Sequence, residues 1–146
     1  MGVLSEAESI DTFQNIKSDL ALSTYGSHII EIAERLLPEE QPNPHAYHLL
    51  VSVLTLLNTN PRQLWIRSFE VKLMTTLGFW SLDQIQADES VKKILDDLQK
   101  KDWPQLSELE VTKSQALELE RVLRYHIERV LDGKLKSLDV MKDLKD

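Results

Sequence analysis

Apolar residues recur at intervals of three and four positions along almost the whole chain, which is the spacing of one face of an α-helix. Ile10, Phe13, Ile16 and Leu20 show this spacing near the start, and Leu119, Leu123, Ile127 and Leu131 show it near the end. No segment alternates apolar and polar residues as a half-buried strand would, and no β-hairpin signal occurs. The sequence therefore predicts an all-α fold, a bundle of about six helices in a single domain over residues 1–146.

Local signals predict where these helices begin and end. Four pairs of residues fit helix starts, namely Ser5 with Glu8, Asn43 with Pro44, Asn60 with Pro61, and Thr112 with Gln115. Gly78 and Gly133 stand where a left-handed residue would end a helix. We expect further helices over Tyr25–Leu37, ended by Pro38, and over Ser90–Lys101, which Asp102-Trp103-Pro104 breaks. The helix after Pro44 is the most apolar, so we expect it at the centre of the bundle.

Charge and composition exclude several classes of protein. The 146 residues carry a formal net charge of −7 and no cysteine, so disulfides and thiolate metal sites are excluded. No apolar run approaches the roughly 20 residues of a membrane span, and no signal peptide is visible. We expect a cytoplasmic protein that does not bind membranes. An acidic chain is a poor binder of nucleic acid on its own, so any DNA contact needs a local basic patch.

Histidines and carboxylates offer little catalytic chemistry. His45 with His48, and His28 with Glu31, are each three positions apart and could supply two metal ligands, but neither pair has an obvious third. Ordinary surface or half-buried histidines are the simpler interpretation. Phosphate-binding glycine loops, nucleophile elbows and metalloprotease motifs are missing from the sequence. We therefore expect no enzyme activity, no cofactor and no bound metal.

Residues 51–80 form the one clearly positive segment, with a net charge of +2. Arg62, Arg67 and Lys72 flank large apolar side chains there, and Phe79 and Trp80 follow. Arg67 precedes Glu70 by three positions, which is typical of an ordinary surface ion pair on a helix. The alternative is a groove for a short acidic peptide, with Arg67 as the main contact, Arg62 and Lys72 as secondary charges, and Phe79 and Trp80 beside it. Phe69 and Leu73 are expected to face the core.

A second basic region lies near the end of the chain. Arg129, Lys134 and Lys136 could contact the phosphates of a nucleic acid. They could equally be cations that oppose the dipole at a helix C-terminus. Arg121 and Arg124 belong to the same predicted helix, and Glu120, Glu128 and Asp132 are interleaved with these cations and weaken the patch.

Three segments together resemble the helical C-terminal region of the bacterial recombination mediator RecO. They are residues 31–39 (EIAERLLPE) with Pro42-Asn43-Pro44, residues 67–74 (RSFEVKLM) with Leu77-Gly78-Phe79, and residues 123–126 (LRYH) with residues 133–137 (GKLKS). Their order and spacing extend over about two-thirds of the chain. The sequence departs from the family in two respects. We expect the chain to lack the N-terminal OB-fold of the family, and with no cysteine it cannot form the four-cysteine zinc module that many members carry.

The resemblance implies a non-enzymatic mediator of recombinational DNA repair. RecO proteins bind the acidic C-terminal tail of single-stranded DNA-binding protein, pair with RecR, anneal complementary strands and help to load RecA. In the family a basic residue of the Arg-x-Phe-Glu motif contacts that tail, which implies this role for Arg67. We expect Arg67→Ala to weaken tail binding by about 1.5–3 kcal/mol with a nearly unchanged melting temperature, and Arg35→Ala to leave tail binding unchanged. The alternative is a helical regulator or adaptor unrelated to repair, which binds a small ligand or a partner helix.

Overall fold

The computed structural model describes the backbone of residues 20–38 and 42–145. It describes side chains for residues 23–38 and 42–133 only. The helix predicted from Ser5 lies outside the described residues. Within them the chain forms six α-helices and no strand, as the sequence predicts. The helices are α1 (Leu20–Leu36), α2 (Pro44–Thr59), α3 (Gln63–Leu77), α4 (Glu89–Lys100), α5 (Trp103–Leu106) and α6 (Lys113–Lys145), with a 3-10 turn at Leu82–Gln84.

Most of the predicted helix boundaries are confirmed by the contacts that form them. Asn43 caps α2, because its side chain accepts a hydrogen bond from the Ala46 amide at 3.0 Å. Gly78 ends α3 in a left-handed conformation with φ of 83°. Thr112 and Gln115 form a reciprocal capping box at the start of α6, with distances of 3.0 and 3.1 Å. Each of these signals acts within four residues, so the sequence alone determines it.

Two of the predicted boundaries are wrong. Asn60 closes α2, and α3 starts only after Arg62, because the Asn60 carbonyl accepts the Trp65 indole N–H at 2.8 Å instead of starting a helix. Gly133 does not end α6, since glycine stops a helix by adopting positive φ and Gly133 does not. The Asp102-Trp103-Pro104 break does end α4, but it also begins the short helix α5, in which Asp102 and Gln105 form a second capping box.

The centre of the bundle is α3, and the prediction that the more apolar α2 lies there is wrong. α3 packs against α1, α2, α4 and α6, and nine of its residues are buried. α2 packs on α1 and α3 and leaves Thr55 and Thr59 exposed. α3 tolerates this position because its two buried polar side chains, Ser68 and Glu70, each contact a polar or charged group of the protein. Ser68, for example, donates to the Leu64 carbonyl at 2.9 Å.

Phe69 and Leu73 face the core, as predicted, and both are fully buried. Their cluster extends through Ile29 of α1, Leu50 of α2 and Leu95 of α4. This core fixes the orientation of α3 and thereby the direction in which each charged side chain of that helix leaves it.

Two cations, Arg62 just before α3 and Lys72 within it, fasten this helix to the end of α4 and to the chain that follows α4. Arg62 donates to the Ser107 and Leu109 carbonyls at 3.1 and 3.2 Å, and Lys72 donates to the carbonyls of Gln99 and Lys101. The last carbonyls of a helix lack partners within it, so Lys72 satisfies the end of α4. The pKa of Lys72 is lowered from its ordinary value of 10.5, mainly by burial, and the carboxylate of Asp102 opposes this shift.

Replacing Lys72 with methionine is expected to destabilise the fold by about 1–2 kcal/mol at neutral pH, because two carbonyls lose a charged donor. The parent should also gain stability relative to this variant as the pH rises toward 10.5. The sign follows from the lowered pKa of Lys72: in that range the unfolded chain binds more protons than the folded one. Urea unfolding of both proteins between pH 7 and 10.5 measures the difference, and a stability gap that narrows with pH would contradict this account.

Candidate functional site

A groove between α1, α3 and α6 gathers charged side chains over an apolar floor. The floor is formed by Ile32, Ile127 and Leu131, and the groove has a volume of about 230 Å³. The charged residues at its wall and rim are His28, Glu31, Arg35, Arg67, Glu70, Arg124 and Glu128. This volume is below the roughly 300–1,000 Å³ of sites for drug-sized molecules, so the groove suits one or two side chains of a peptide.

Glu70 is the most unusual member of the groove, because its carboxylate is only 2% exposed. Its Oε2 lies 3.2 Å from Nε2 of His28, which comes from α1. Its Oε1 lies 3.2 Å from a terminal nitrogen of Arg67, one helical turn earlier, but no described group is placed to donate a hydrogen bond to this oxygen. A buried carboxylate requires a cation or polar partners beside it, since an unpaired charge in the interior costs several kcal/mol.

Arg67 is therefore not part of an ordinary surface ion pair. Its side chain is only 16% exposed, against 58–66% for Arg35, Arg121 and Arg124 in their own ion pairs. The i,i+3 spacing predicted the contact with Glu70 but not the burial. Arg67→Ala would leave Glu70 without its ion-pair partner, so the structure predicts a lower melting temperature for this variant, where the sequence led us to expect a nearly unchanged one. Arg35 lies in the same groove and is unsuitable as a control.

The structure does not bring the five predicted partner-binding residues together. Arg67 faces the groove, whereas Arg62 and Lys72 lie on another side of α3, over the rings of Trp65 and Trp103. The two rings meet edge to face, with centroids 6.0 Å apart. At 100° per residue, Arg67 and Lys72 are about 140° apart around the helix, and this angle follows from the spacing alone.

Phe79 and Trp80 lie beyond the end of α3, against His126 of α6. The rings of Trp80 and His126 meet edge to face at 5.4 Å. His126 Nε2 donates to the Phe79 carbonyl at 2.7 Å, because a carbonyl oxygen can only accept. The indole nitrogen of Trp80 is buried and has no hydrogen-bond partner among the described residues. Neither Phe79 nor Trp80 lines the groove that holds Arg67.

Arg129 is exposed on α6 and lies over the ring of Tyr125, 5.7 Å from its centroid. Lys134 and Lys136 belong to the same helix, but their side chains are outside the described part of the structure. His45 and His48 are both exposed, and no group of three or more potential ligands among the described residues could hold a metal ion. No helix in the described ranges is both long and apolar enough to cross a membrane.

His28, Arg124 and Ile127 are among the groove residues that sequence reasoning missed. His28 was considered only as a metal ligand, while Arg124 and Ile127 were treated as parts of the last helix. They join Arg67 and Glu70 in the groove through tertiary packing, and His28 and Glu70, for example, contact each other across 42 positions of sequence. The local pattern carries no signal for such contacts.

Comparison with known proteins agrees with the resemblance. Residues 17–84 match the family model described as "Recombination protein O C terminal". The chain contains a RecO C-terminal-like region. That region includes α1, α2 and α3, and with them both Arg67 and Glu70.

Several curated relatives carry the name DNA repair protein RecO. The protein of Pelotomaculum thermopropionicum is 33% identical over 54% of this chain and 31% of its own length. The protein of Listeria monocytogenes is 30% identical over 55% of this chain and 32% of its own length. The protein of Dehalococcoides mccartyi is 27% identical over 90% of this chain and 66% of its own length. The RecO-like match thus spans about a third of the first two relatives. No solved structure matches the chain.

Proposed function

We propose that this chain is a non-catalytic, partner-binding component of recombinational DNA repair. In this proposal its RecO-like region binds the acidic C-terminal tail of single-stranded DNA-binding protein in the groove between α1, α3 and α6. The likeness to proteins named DNA repair protein RecO supports the repair role. The groove itself supports the choice of an acidic peptide, as its arginines and apolar floor suggest.

The main support for the proposal is that the hydrogen-bond donors of the Arg67 guanidinium are not used on backbone carbonyls. Arg67 lies beside Glu70, but it makes no hydrogen bond within the described part of the chain. Arg62, by contrast, uses two of its N–H groups on backbone carbonyls. A guanidinium has five N–H donors in a planar fork that matches a carboxylate. Those of Arg67 remain available to an incoming carboxylate, and their position is already fixed by Glu70.

The rest of the groove fits a peptide that ends in an apolar residue. Ile32, Ile127 and Leu131 offer an apolar surface for an aromatic or aliphatic side chain. Arg124 stands at the rim and can add a second positive charge, because its ion pair with Glu120 is exposed and therefore weak. Glu31 and Glu128 oppose an acidic ligand, so the arginine side of the rim should receive its carboxylates.

The other four residues predicted to bind the partner contribute less to peptide binding in this proposal. The donors of Arg62 and Lys72 are already bonded to carbonyls, so these residues would attract the tail through long-range charge only. Phe79 and Trp80 would border the peptide only if it extended beyond the groove. Pairing with RecR, strand annealing and assistance in RecA loading also belong to the proposal, and they rest on the likeness to the named relatives.

Arg67→Lys tests the groove without leaving Glu70 unpaired, because lysine keeps the positive charge. The variant lacks the planar guanidinium, which can donate two parallel hydrogen bonds to a carboxylate. We therefore expect the binding free energy of the variant for a synthetic acidic peptide ending in Pro-Phe to weaken by about 1.5 kcal/mol. Isothermal titration calorimetry measures this change, and thermal unfolding should show a nearly unchanged melting temperature.

The matched control is Arg121→Lys. Arg121 also pairs with a glutamate three positions away, but this pair is exposed and outside the groove. We expect peptide affinity equal to that of the parent. If Arg67→Lys binds the peptide as tightly as Arg121→Lys does, the tail does not bind at Arg67.

For DNA we propose weak contacts of single strands with Arg129, Lys134 and Lys136. A net charge of −7 opposes binding to phosphates, so affinity at physiological salt should be low. Alanine at both lysines should lower it further and reduce the slope of log affinity against log salt by about 1–2. Fluorescence anisotropy with a labelled oligonucleotide tests this, and nanomolar binding by the parent would contradict it.

A further inference from the structure

The charges that line the groove between α1, α3 and α6 sum to zero when His28 is neutral. Each helix contributes one glutamate and one arginine, namely Glu31 and Arg35, Glu70 and Arg67, and Glu128 and Arg124. α2 also packs on α1, but it has no aspartate, glutamate, lysine or arginine, and its two histidines lie outside the groove. The charge of His28 therefore decides whether the groove as a whole is neutral or positive.

His28 belongs to the residue type that ordinarily changes its charge between about pH 5 and 8. Its Nε2 lies 3.2 Å from Oε2 of Glu70. Because an ionised carboxylate can only accept a hydrogen bond, Nε2 carries the proton of the neutral ring, and a second proton must bind at Nδ1. The side chain of His28 is 44% exposed, so this second proton can come from solvent.

A carboxylate ligand that approaches Arg67 meets the carboxylate of Glu70, which already lies 3.2 Å from that guanidinium. Two carboxylates beside one guanidinium repel each other, and Glu70 is only 2% exposed, so water screens this repulsion poorly. A second cation beside Glu70 offsets the repulsion. Protonated His28 is placed to be that cation, because its ring contacts Oε2 of Glu70 while Arg67 lies beside Oε1.

We propose that His28 is a further binding residue of the groove, which takes up a proton when the carboxylate of an acidic peptide binds Arg67. This inference rests on the proposed function, since it concerns the same groove and the same peptide. The protonated ring pairs with Glu70 through its Nε2–H, so the charge of Arg67 is available to the ligand. A ligand that binds the protonated form more tightly gains affinity as the pH falls.

Isothermal titration calorimetry of the 146-residue chain at about pH 6 and pH 8 tests the proposal. The probe is an acidic peptide that ends in Pro-Phe and has an acetylated N-terminus, because its remaining carboxyl groups stay ionised over this range. The parent should bind the peptide about 5- to 20-fold more tightly at the lower pH, which is the effect of one added charge a few ångströms away. Titrations in buffers that differ in ionisation enthalpy should also show net proton uptake on binding.

His28→Gln separates the charge of His28 from its hydrogen bond. The glutamine amide can still donate to Glu70, but it cannot be protonated near neutral pH. The affinities of this variant at the two pH values should therefore be nearly equal, and its binding should take up no proton. The matched control is His45→Gln, which replaces an exposed histidine outside the groove and should keep the pH dependence of the parent. Circular dichroism at both pH values checks that each variant is folded.

The possible results separate this inference from the proposed function. Equal affinity of the parent at both pH values would overturn the role of His28 and leave peptide binding in the groove intact. A pH dependence that persists in His28→Gln would also overturn it, because another group would then take up the proton. If the parent binds the peptide at neither pH, the proposed function is wrong and the role of His28 is wrong with it.

Discussion

The groove depends on the carboxylate of Glu70, which lies in the protein interior, where an unpaired charge is strongly destabilising. Glu70 is on the central helix and almost fully buried, so it must have a cation or polar partners beside it. Arg67 supplies the positive charge from the preceding turn of α3, and a ring nitrogen of His28 from α1 contacts the other carboxylate oxygen. Because Glu70 holds both, it fixes α1 against α3 and holds a guanidinium at the edge of the apolar floor. Its Oε1 receives no hydrogen bond from the described chain, so Arg67 lies beside it as an ion pair without donating to it.

Much of the fold could be predicted because helix boundaries are local. The Asn43 cap, the Thr112 capping box and the left-handed Gly78 each involve residues at most five apart. Gly133 shows the limit of such signals, since glycine permits a helix to end but does not force it. Leucines at positions 131, 135 and 138 continue the helical spacing, and α6 runs on to Lys145.

The site could be predicted only in part. Spacing revealed the contact between Arg67 and Glu70, and the RecO resemblance drew attention to Arg67. Burial of that pair, and the approach of His28 and Arg124, depend on how three helices pack, which no local pattern encodes. The positive charge of residues 51–80 was misleading in detail. The charge suggested that the basic side chains form one cluster. The helical turn between Arg67 and Lys72 instead places Lys72 on a different side of α3, where it donates to a carbonyl at the end of α4.

The central claim is that the Arg67 guanidinium is held in place but free to bind a carboxylate. Arginine side-chain ¹⁵N NMR during titration with the acidic peptide observes this directly. The account predicts that the Nε–Hε resonance of Arg67 shifts downfield and exchanges more slowly with water as peptide binds, while that of Arg121 does not move. Saturable peptide binding that leaves the Arg67 resonance unchanged would contradict the account.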